Sequence, residues 1–97
     1  MIYVVARMEL NEGCKEAMLA VLAKTVPQVL SEEGCIMYTP CLDADENPQG
    51  TFLTIVEAWK DRDALQAHLA TPHMADFREA VKDLRKGSSV EVLTPAL

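Results

Sequence analysis

Hydrophobic side chains recur at every second position in two parts of the chain, and this pattern predicts two buried strands. In the first ten residues the apolar set is Ile2, Val4, Ala6, Met8 and Leu10. Residues 51–59 are rich in β-branched and aromatic side chains, and this stretch is largely apolar on both faces. Glu57 is the exception to this apolar pattern, because it is a carboxylate on the same face as Leu53 and Trp59. We therefore expect a carboxylate inside the core.

A helical spacing of apolar residues follows the first strand. Between residues 15 and 33 these side chains recur at intervals of three and four, which predicts one amphipathic helix. Gly34 is expected to end this helix as a C-terminal cap, and Pro27 to kink it, because proline removes a backbone hydrogen bond. Residues 35–42 are typical of a second strand, and the turn-forming stretch 43–50 joins it to the next strand as a long hairpin.

Two helix starts are predicted after the hairpin. Asp61 is a good N-cap for one helix, and Thr71 caps another in which Pro72 takes the first-turn position. The break between these helices separates the two histidines of the chain. Gly87 is expected to stop the last helix, before a final strand over residues 89–94.

The resulting order is strand, helix, strand, strand, helix pair, strand. This is the order of the ferredoxin-like β-α-β-β-α-β fold, an α+β class in which helices cover one face of an antiparallel sheet. We expect residues 1–97 to form this single domain. Because the first and third strands are apolar on both faces, a second sheet should cover the face that the helices leave open. A second copy of the chain is the economical source, which predicts a homodimer with Val4 and Val56 on the shared face.

Charge and composition narrow the classes of function. The chain has 97 residues, 49% of them hydrophobic, and a formal net charge of -6. An acidic protein repels phosphate backbones and anionic lipids, so neither nucleic acid nor a membrane is expected as a partner. Without a signal-peptide pattern or a membrane span, the chain is predicted to be cytoplasmic. Cys14, Cys35 and Cys41 lack metal-site spacing and are interpreted as packing thiols.

Nearly all the side chains able to do chemistry lie in residues 51–77, from the second strand of the hairpin through the start of the second helix after it. A buried carboxylate is unfavourable unless it is paired, hydrogen-bonded or protonated, so a polar group should lie beside Glu57. The helices must fold back over the sheet, which brings His68 and His73 toward Glu57. A histidine near neutrality acts as a base and a carboxylate orients it, so these three are the predicted catalytic residues. Trp59 and Phe77 are expected to wall their common pocket.

Each of these residues also has a structural interpretation. His68 could be a hydrogen-bonded core histidine, and His73 could line or cap the second helix. Glu57 could bond helix-start amides or Arg7. A metal site built from Glu57 and the two histidines lacks the tight ligand spacing of known sites, so no metal is predicted.

The run EAWKDRDALQAHLATPHMADF, from Glu57 to Phe77, resembles the signature of the antibiotic biosynthesis monooxygenase family, which includes small quinol monooxygenases. Further agreement with the family pattern comes from Gly34, Cys35, Tyr38 and the Asn47-Pro48 turn. The resemblance implies a dimeric α/β barrel with one pocket per subunit between sheet and helices. It also implies oxygen chemistry without flavin, haem or metal. Tyr38 and Arg7 accordingly join Trp59 and Phe77 as the expected substrate-binding residues.

Two groups of proteins related to this family help to decide which reaction the chain is expected to catalyse. Haem-degrading relatives hold haem with a histidine on the long helix, where this chain has Phe77, so no cofactor is expected. The same segment also resembles an isomerase branch that acts on a phosphorylated ketose. That reaction would require phosphate-binding donors or basic side chains at the pocket, and Arg7, Lys60 and Arg62 are the candidates.

Three functions therefore stay open. The preferred one is a cofactor-free monooxygenase that oxidises a small quinol-like aromatic molecule. The second is a phospho-ketose isomerase that uses the same acid and base, and the third is a dimer that binds a small ligand without catalysis. An apolar pocket favours the first, a basic cluster favours the second, and a filled core beside Glu57 favours the third.

Overall fold

The computed structural model describes residues 1–97 and contains four strands and three helices. In chain order they are β1 (Ile2–Leu10), α1 (Lys15–Leu30), β2 (Cys35–Leu42), β3 (Phe52–Trp59), α2 (Arg62–Leu69), α3 (Pro72–Val81) and β4 (Arg85–Leu93). The strands form one sheet in the order β2-β3-β1-β4, with every neighbouring pair antiparallel. The predicted ferredoxin-like α+β fold is confirmed.

The helices over the sheet start at the predicted caps. The Asp61 carboxylate accepts the backbone N–H of Ala64 at 2.8 Å, and the Thr71 hydroxyl accepts that of Met74 at 3.3 Å. Pro72 is the first residue of α3, where its missing N–H removes no helical hydrogen bond. The predicted break between the histidines is therefore confirmed. No helix is both long enough and apolar enough to cross a membrane.

Two predicted helix ends are wrong. Helix α1 ends at Leu30 with Ser31 as its cap, so Gly34 lies beyond the helix in a turn. Helix α3 ends at Val81, and Gly87 lies inside β4. The reason at the second site is strand pairing, because Asn11 donates its backbone N–H to the Leu84 carbonyl at 2.9 Å and so draws the chain onto β1.

The register of β1 and β3 decides which side chains face the helices. Val4 lies opposite Glu57, and Val5 lies opposite Val56. Val4 and Glu57 are both buried on the helix side, whereas Val5 and Val56 are half-buried on the other side. The expectation that Val4 shares a face with Val56 is therefore wrong, because successive side chains of a strand point to opposite faces.

The core lies between this face of the sheet and the helices, but it does not reach the edge strand. Val92 of β4 lies opposite Val4, and Val90 lies opposite Ala6. Both side chains are nevertheless exposed, by 44% for Val92 and 63% for Val90. The layer of helices thus leaves one edge of the sheet open.

A glycine allows the turn after α1 to pack directly on α2. Gly34 has a φ of +82°, and a Cβ placed on it would lie 2.6 Å from the Cβ of Ala64. Lys60 donates its backbone N–H to the Gly34 carbonyl at 2.8 Å. This close approach fixes the position of residues 31–34 against the start of α2.

We predict that Gly34→Ala lowers the free energy of unfolding by about 1–3 kcal/mol more than Gly13→Ala does, because overpacking adds to the backbone strain. Gly13 is a matched control, with a φ of +78° and no atom within 4 Å of the point that a Cβ would occupy. Both variants carry the left-handed backbone penalty of about 1–2 kcal/mol. Urea denaturation measures the difference.

Adding Ala64→Gly to Gly34→Ala should recover part of the lost free energy of unfolding, since it removes the Cβ of residue 64 that would clash with the new Cβ of residue 34. A double-mutant cycle isolates this coupling from the cost of a glycine within α2. Equal losses for Gly34→Ala and Gly13→Ala, with no coupling to residue 64, would show that the turn does not rest on α2.

Candidate active site

A cavity of about 270 Å³ lies between the helix-facing side of the sheet and helices α2 and α3. Its wall is mostly apolar, and its polar members are Tyr38, Glu57, His68, Arg78, Arg85 and Ser88. The volume is near the lower end of the range for small-molecule sites, about 300–1,000 Å³. Because a cavity lies beside Glu57, the filled core that would favour a non-catalytic module is absent.

Glu57 is the carboxyl group that lines the cavity. Its side chain projects from β3, is only 5% exposed, and accepts the indole N–H of Trp59 at 2.9 Å. Burial raises the pKa of Glu57 to about 7, while the Trp59 hydrogen bond opposes this shift and the nearby Glu32 charge adds to it. The carboxyl group therefore exchanges its proton near neutral pH.

His68 is held by a second carboxylate. The imidazole is 1% exposed, and its Nδ1 lies 3.0 Å from Oε2 and 3.2 Å from Oε1 of Glu32. Burial lowers the pKa of His68, and the bond to Glu32 works against that shift. We assign Nδ1–H as the donor to the carboxylate, which leaves Nε2 of a neutral ring as an acceptor for the cavity.

Aromatic rings fix the plane of the His68 imidazole. The Trp59 ring lies 4.5 Å away between centroids, at an interplanar angle of 35°. Tyr38 meets the imidazole edge-on at 5.7 Å and 61°. Trp59 therefore supports both Glu57 and His68, one by a hydrogen bond and the other by stacking.

Glu32 is one of the site residues that sequence reasoning missed. It lies in the turn after α1 and also accepts a hydrogen bond from Nε2 of His73 at 2.6 Å. Its neighbour Glu33 is exposed. Nothing in the local pattern separates these two adjacent glutamates, because the difference arises only when the turn packs against α2 and α3.

The structure places Tyr38 and Phe77 in the cavity wall with Glu57 and His68. His73 does not line this cavity. It lines a more open groove of about 620 Å³ between α1 and α3, and it reaches His68 only through Glu32. The expectation of one pocket shared by both histidines is therefore wrong, because the helix break turns His73 toward α1.

Trp59 is fully buried beneath the cavity instead of lining it. Its bond to Glu57 makes it a supporting residue, so its predicted position in the pocket wall is wrong.

Arg7 lies on the opposite face of the sheet. Its guanidinium binds the Asp43 carboxylate at 3.0 and 3.1 Å, donates to the Thr54 hydroxyl at 2.9 Å, and covers the ring of Phe52. The prediction that Arg7 lines the pocket is therefore wrong, since β1 alternation directs it away from Glu57.

Two other arginines supply the positive charge of the cavity. Arg78 projects from α3 and donates to the Leu69 carbonyl at 3.2 Å, and Arg85 begins β4. Both line the cavity, together with Ser88. Sequence reasoning missed Arg85 because it placed that residue at the end of a longer helix, and no local pattern marked Arg78, which lies within α3, as facing the cavity.

Comparison with known proteins identifies the family of this chain. Residues 1–80 match the model of a family described as antibiotic biosynthesis monooxygenase. The protein named probable quinol monooxygenase YgiN, from Escherichia coli K12, is 34% identical, with all of both chains covered.

Solved structures agree with this assignment. Rv0793 from Mycobacterium tuberculosis superposes with a TM-score of 0.81 and 29% identity, over 97% of this chain and 93% of that chain. Protein SO0527 from Shewanella oneidensis gives a TM-score of 0.84 and 31% identity, over 95% and 87% of the two chains. The chain therefore belongs to the antibiotic biosynthesis monooxygenase family and is a monooxygenase.

Proposed function

We propose that this monooxygenase oxidises a small, electron-rich, quinol-like aromatic molecule with dioxygen and without a cofactor. The observation that carries the proposal is the imidazole of His68, held through Nδ1 by Glu32 beside a second carboxyl group in a mostly apolar cavity. The name of the Escherichia coli relative, a probable quinol monooxygenase, supports the substrate class. By its resemblance to the family, Phe77 corresponds to the position at which haem-degrading relatives carry a histidine ligand, and this supports chemistry without haem.

The proposed mechanism begins with proton transfer. Nε2 of His68 accepts a hydroxyl proton from the quinol, and the positive charge on the ring is stabilised by Glu32. The resulting anion is electron-rich and passes an electron to dioxygen. Glu57, which titrates near neutrality, is suited to return a proton to reduced oxygen.

The reaction balances without an outside reductant. One oxygen atom replaces a ring hydrogen, and the other leaves as water. The quinol supplies four electrons in total, two in ring hydroxylation and two in its conversion to the quinone level. The product is a hydroxylated quinone, and the apolar wall suits both the ring and dioxygen.

A second candidate function is favoured by Arg78 and Arg85. Guanidinium groups bind phosphate strongly, and these two line the cavity that contains the acid and the base. A phospho-ketose isomerase would use His68 and Glu57 to move a proton between adjacent carbons. Oxygen uptake with a panel of quinols, set against proton exchange in a phosphorylated ketose, distinguishes the two reactions.

We also propose that the protein is a homodimer joined through the sheet face opposite the helices. Val5 and Val56 lie side by side on this face, and Tyr3 is 38% exposed near them. The apolar patch formed by Tyr3, Val5 and Val56 is unfavourable when open to water, and a second copy packed about a two-fold axis would cover it.

We predict that His68→Gln and Glu57→Gln each lower the rate of quinol oxidation by about 100-fold or more, because each removes general acid–base help. Oxygen uptake and incorporation of labelled dioxygen into the product measure the rate and the reaction type. Glu33→Gln is the control, since this exposed carboxylate lies beside Glu32 but outside the site. Unchanged turnover in both site variants, on a substrate the wild type oxidises, would refute the assignment.

We predict that Glu57 makes the protein less stable as pH rises from about 5 to 8. Its folded pKa of about 7 lies above the ordinary 4.5, so the folded state holds the proton longer than the unfolded state does. Protonation of Glu57 makes its full contribution to the free energy of unfolding below pH 4.5. This contribution, about 3 kcal/mol in total, is lost as the pH rises through 7.

Urea denaturation of wild type and Glu57→Gln across this pH range isolates the effect. Trp59, Glu32, Tyr38, His68, Arg78 and Arg85 surround the carboxyl group or its cavity and are common to both proteins. The stability gap, defined as the free energy of unfolding of Glu57→Gln minus that of the wild type, should increase with rising pH. A constant gap would show that Glu57 is not protonated in the folded protein near neutrality.

We predict that Val56→Glu disrupts the dimer, because it places a charge in the apolar interface. Light scattering should give about twice the chain mass of 10.7 kDa for the wild type and a lower mass, or an unfolded chain, for the variant. Ala23→Glu adds the same charge on the exposed surface of α1 and should leave the dimer intact. A wild-type species of 10.7 kDa at micromolar concentration would contradict the proposal.

A further inference from the structure

Two imidazoles and a carboxylate meet at one point behind the cavity wall. Oε2 of Glu32 lies 3.0 Å from Nδ1 of His68 and 2.6 Å from Nε2 of His73. One ligand atom from each of the three residues lies within 4.8 Å of the other two. The three side chains come from the turn after α1, from α2 and from α3, so the tertiary fold alone assembles them.

We propose that Glu32, His68 and His73 form a binding site for a divalent transition-metal ion of the zinc type. Two imidazole nitrogens and one carboxylate oxygen are a known ligand set for zinc and for other late first-row metals. Calcium and magnesium prefer oxygen ligands and are expected to bind poorly here.

The spacing requires only a small adjustment. Ligand atoms about 2.1 Å from a tetrahedral ion lie about 3.4 Å from one another. The present 3.0 and 2.6 Å contacts are hydrogen bonds, in which the carboxylate accepts from each ring. An ion at this point would displace the proton of each coordinating nitrogen to the other nitrogen of its ring and would lengthen both contacts by less than 1 Å or so. It would also bring the ligand atoms of the two rings, which lie within 4.8 Å of each other, to about 3.4 Å.

The site also has access and room for a fourth ligand. His73 lines the open groove between α1 and α3, with Asp76 and Gln28 nearby in the same wall. Water from this groove can complete the coordination of the ion. Of the three ligand residues, only His68 lines the cavity that holds Glu57, so the ion would lie outside that cavity.

A bound ion would act on the cavity through His68. It would occupy Nδ1, so the neutral ring would carry its proton on Nε2 and would donate to the cavity instead of accepting a proton from the substrate, while keeping its orientation. Metal binding at this point does not depend on the proposed oxidation of quinols, because it can be measured on the protein without any substrate.

The test is calorimetric titration of untagged, chelator-treated protein with zinc chloride, and with magnesium chloride as the comparison. We expect one zinc per chain with micromolar or tighter affinity, and little heat with magnesium. Glu32→Gln and His73→Gln should each weaken zinc binding by about 100-fold or more. Loss of a residue that only supports a metal ligand costs up to about 100-fold in affinity, and loss of a ligand itself should cost at least as much. Glu33→Gln is the matched control and should bind like the wild type.

Free thiols are the competing explanation, since zinc also binds cysteine. Burial raises the pKa of the Cys35 thiol, and the charge of Glu32 adds to this shift, so the thiol lies near the proposed site. Cys35→Ser should nevertheless leave zinc binding unchanged. The proposal is overturned if zinc does not bind at 100 μM or so, or if binding survives Glu32→Gln and His73→Gln but disappears in Cys35→Ser. Circular dichroism of each variant excludes unfolding as the cause of a loss.

Discussion

The arrangement of the site depends on one carboxylate shared by two imidazoles. Glu32 bonds His68 and His73 at the same time, and so joins the turn after α1 to both helices that cover the sheet. The turn can reach them because Gly34 presents no side chain to Ala64. A partly buried carboxylate is unfavourable without such partners, so the contact stabilises the helix layer and also sets the tautomer of His68.

Trp59 connects this contact to the cavity. Its indole stacks on the imidazole of His68 and donates its N–H to Glu57. Glu57 and His68 are therefore both positioned by one ring that does not itself line the cavity. Removing that ring would disturb both groups together, whereas changing Glu57 alone would leave the His68 contacts in place.

The family assignment and the cavity together narrow the chemistry without fixing the substrate. Family membership gives a monooxygenase. The apolar wall is suited to an aromatic ring, but Arg78 and Arg85 also offer charge to an anionic group. Both proposed reactions begin with proton transfer by the same residues, so the acid and base cannot separate them. The discriminating residues are the two arginines, whose use depends on whether the substrate carries a negative charge.

The sequence by itself determined the first three strands, the break between α2 and α3, and the burial of Glu57, because alternation, capping and proline act over a few neighbouring residues. It also carried the family signature. Only the tertiary structure decided that Glu32 rather than Glu33 binds both histidines, that His73 faces a different groove, and that Arg78 and Arg85 line the cavity. These outcomes depend on how a turn packs on a helix and on strand register. Such contacts join residues distant in the sequence, and no local pattern records them.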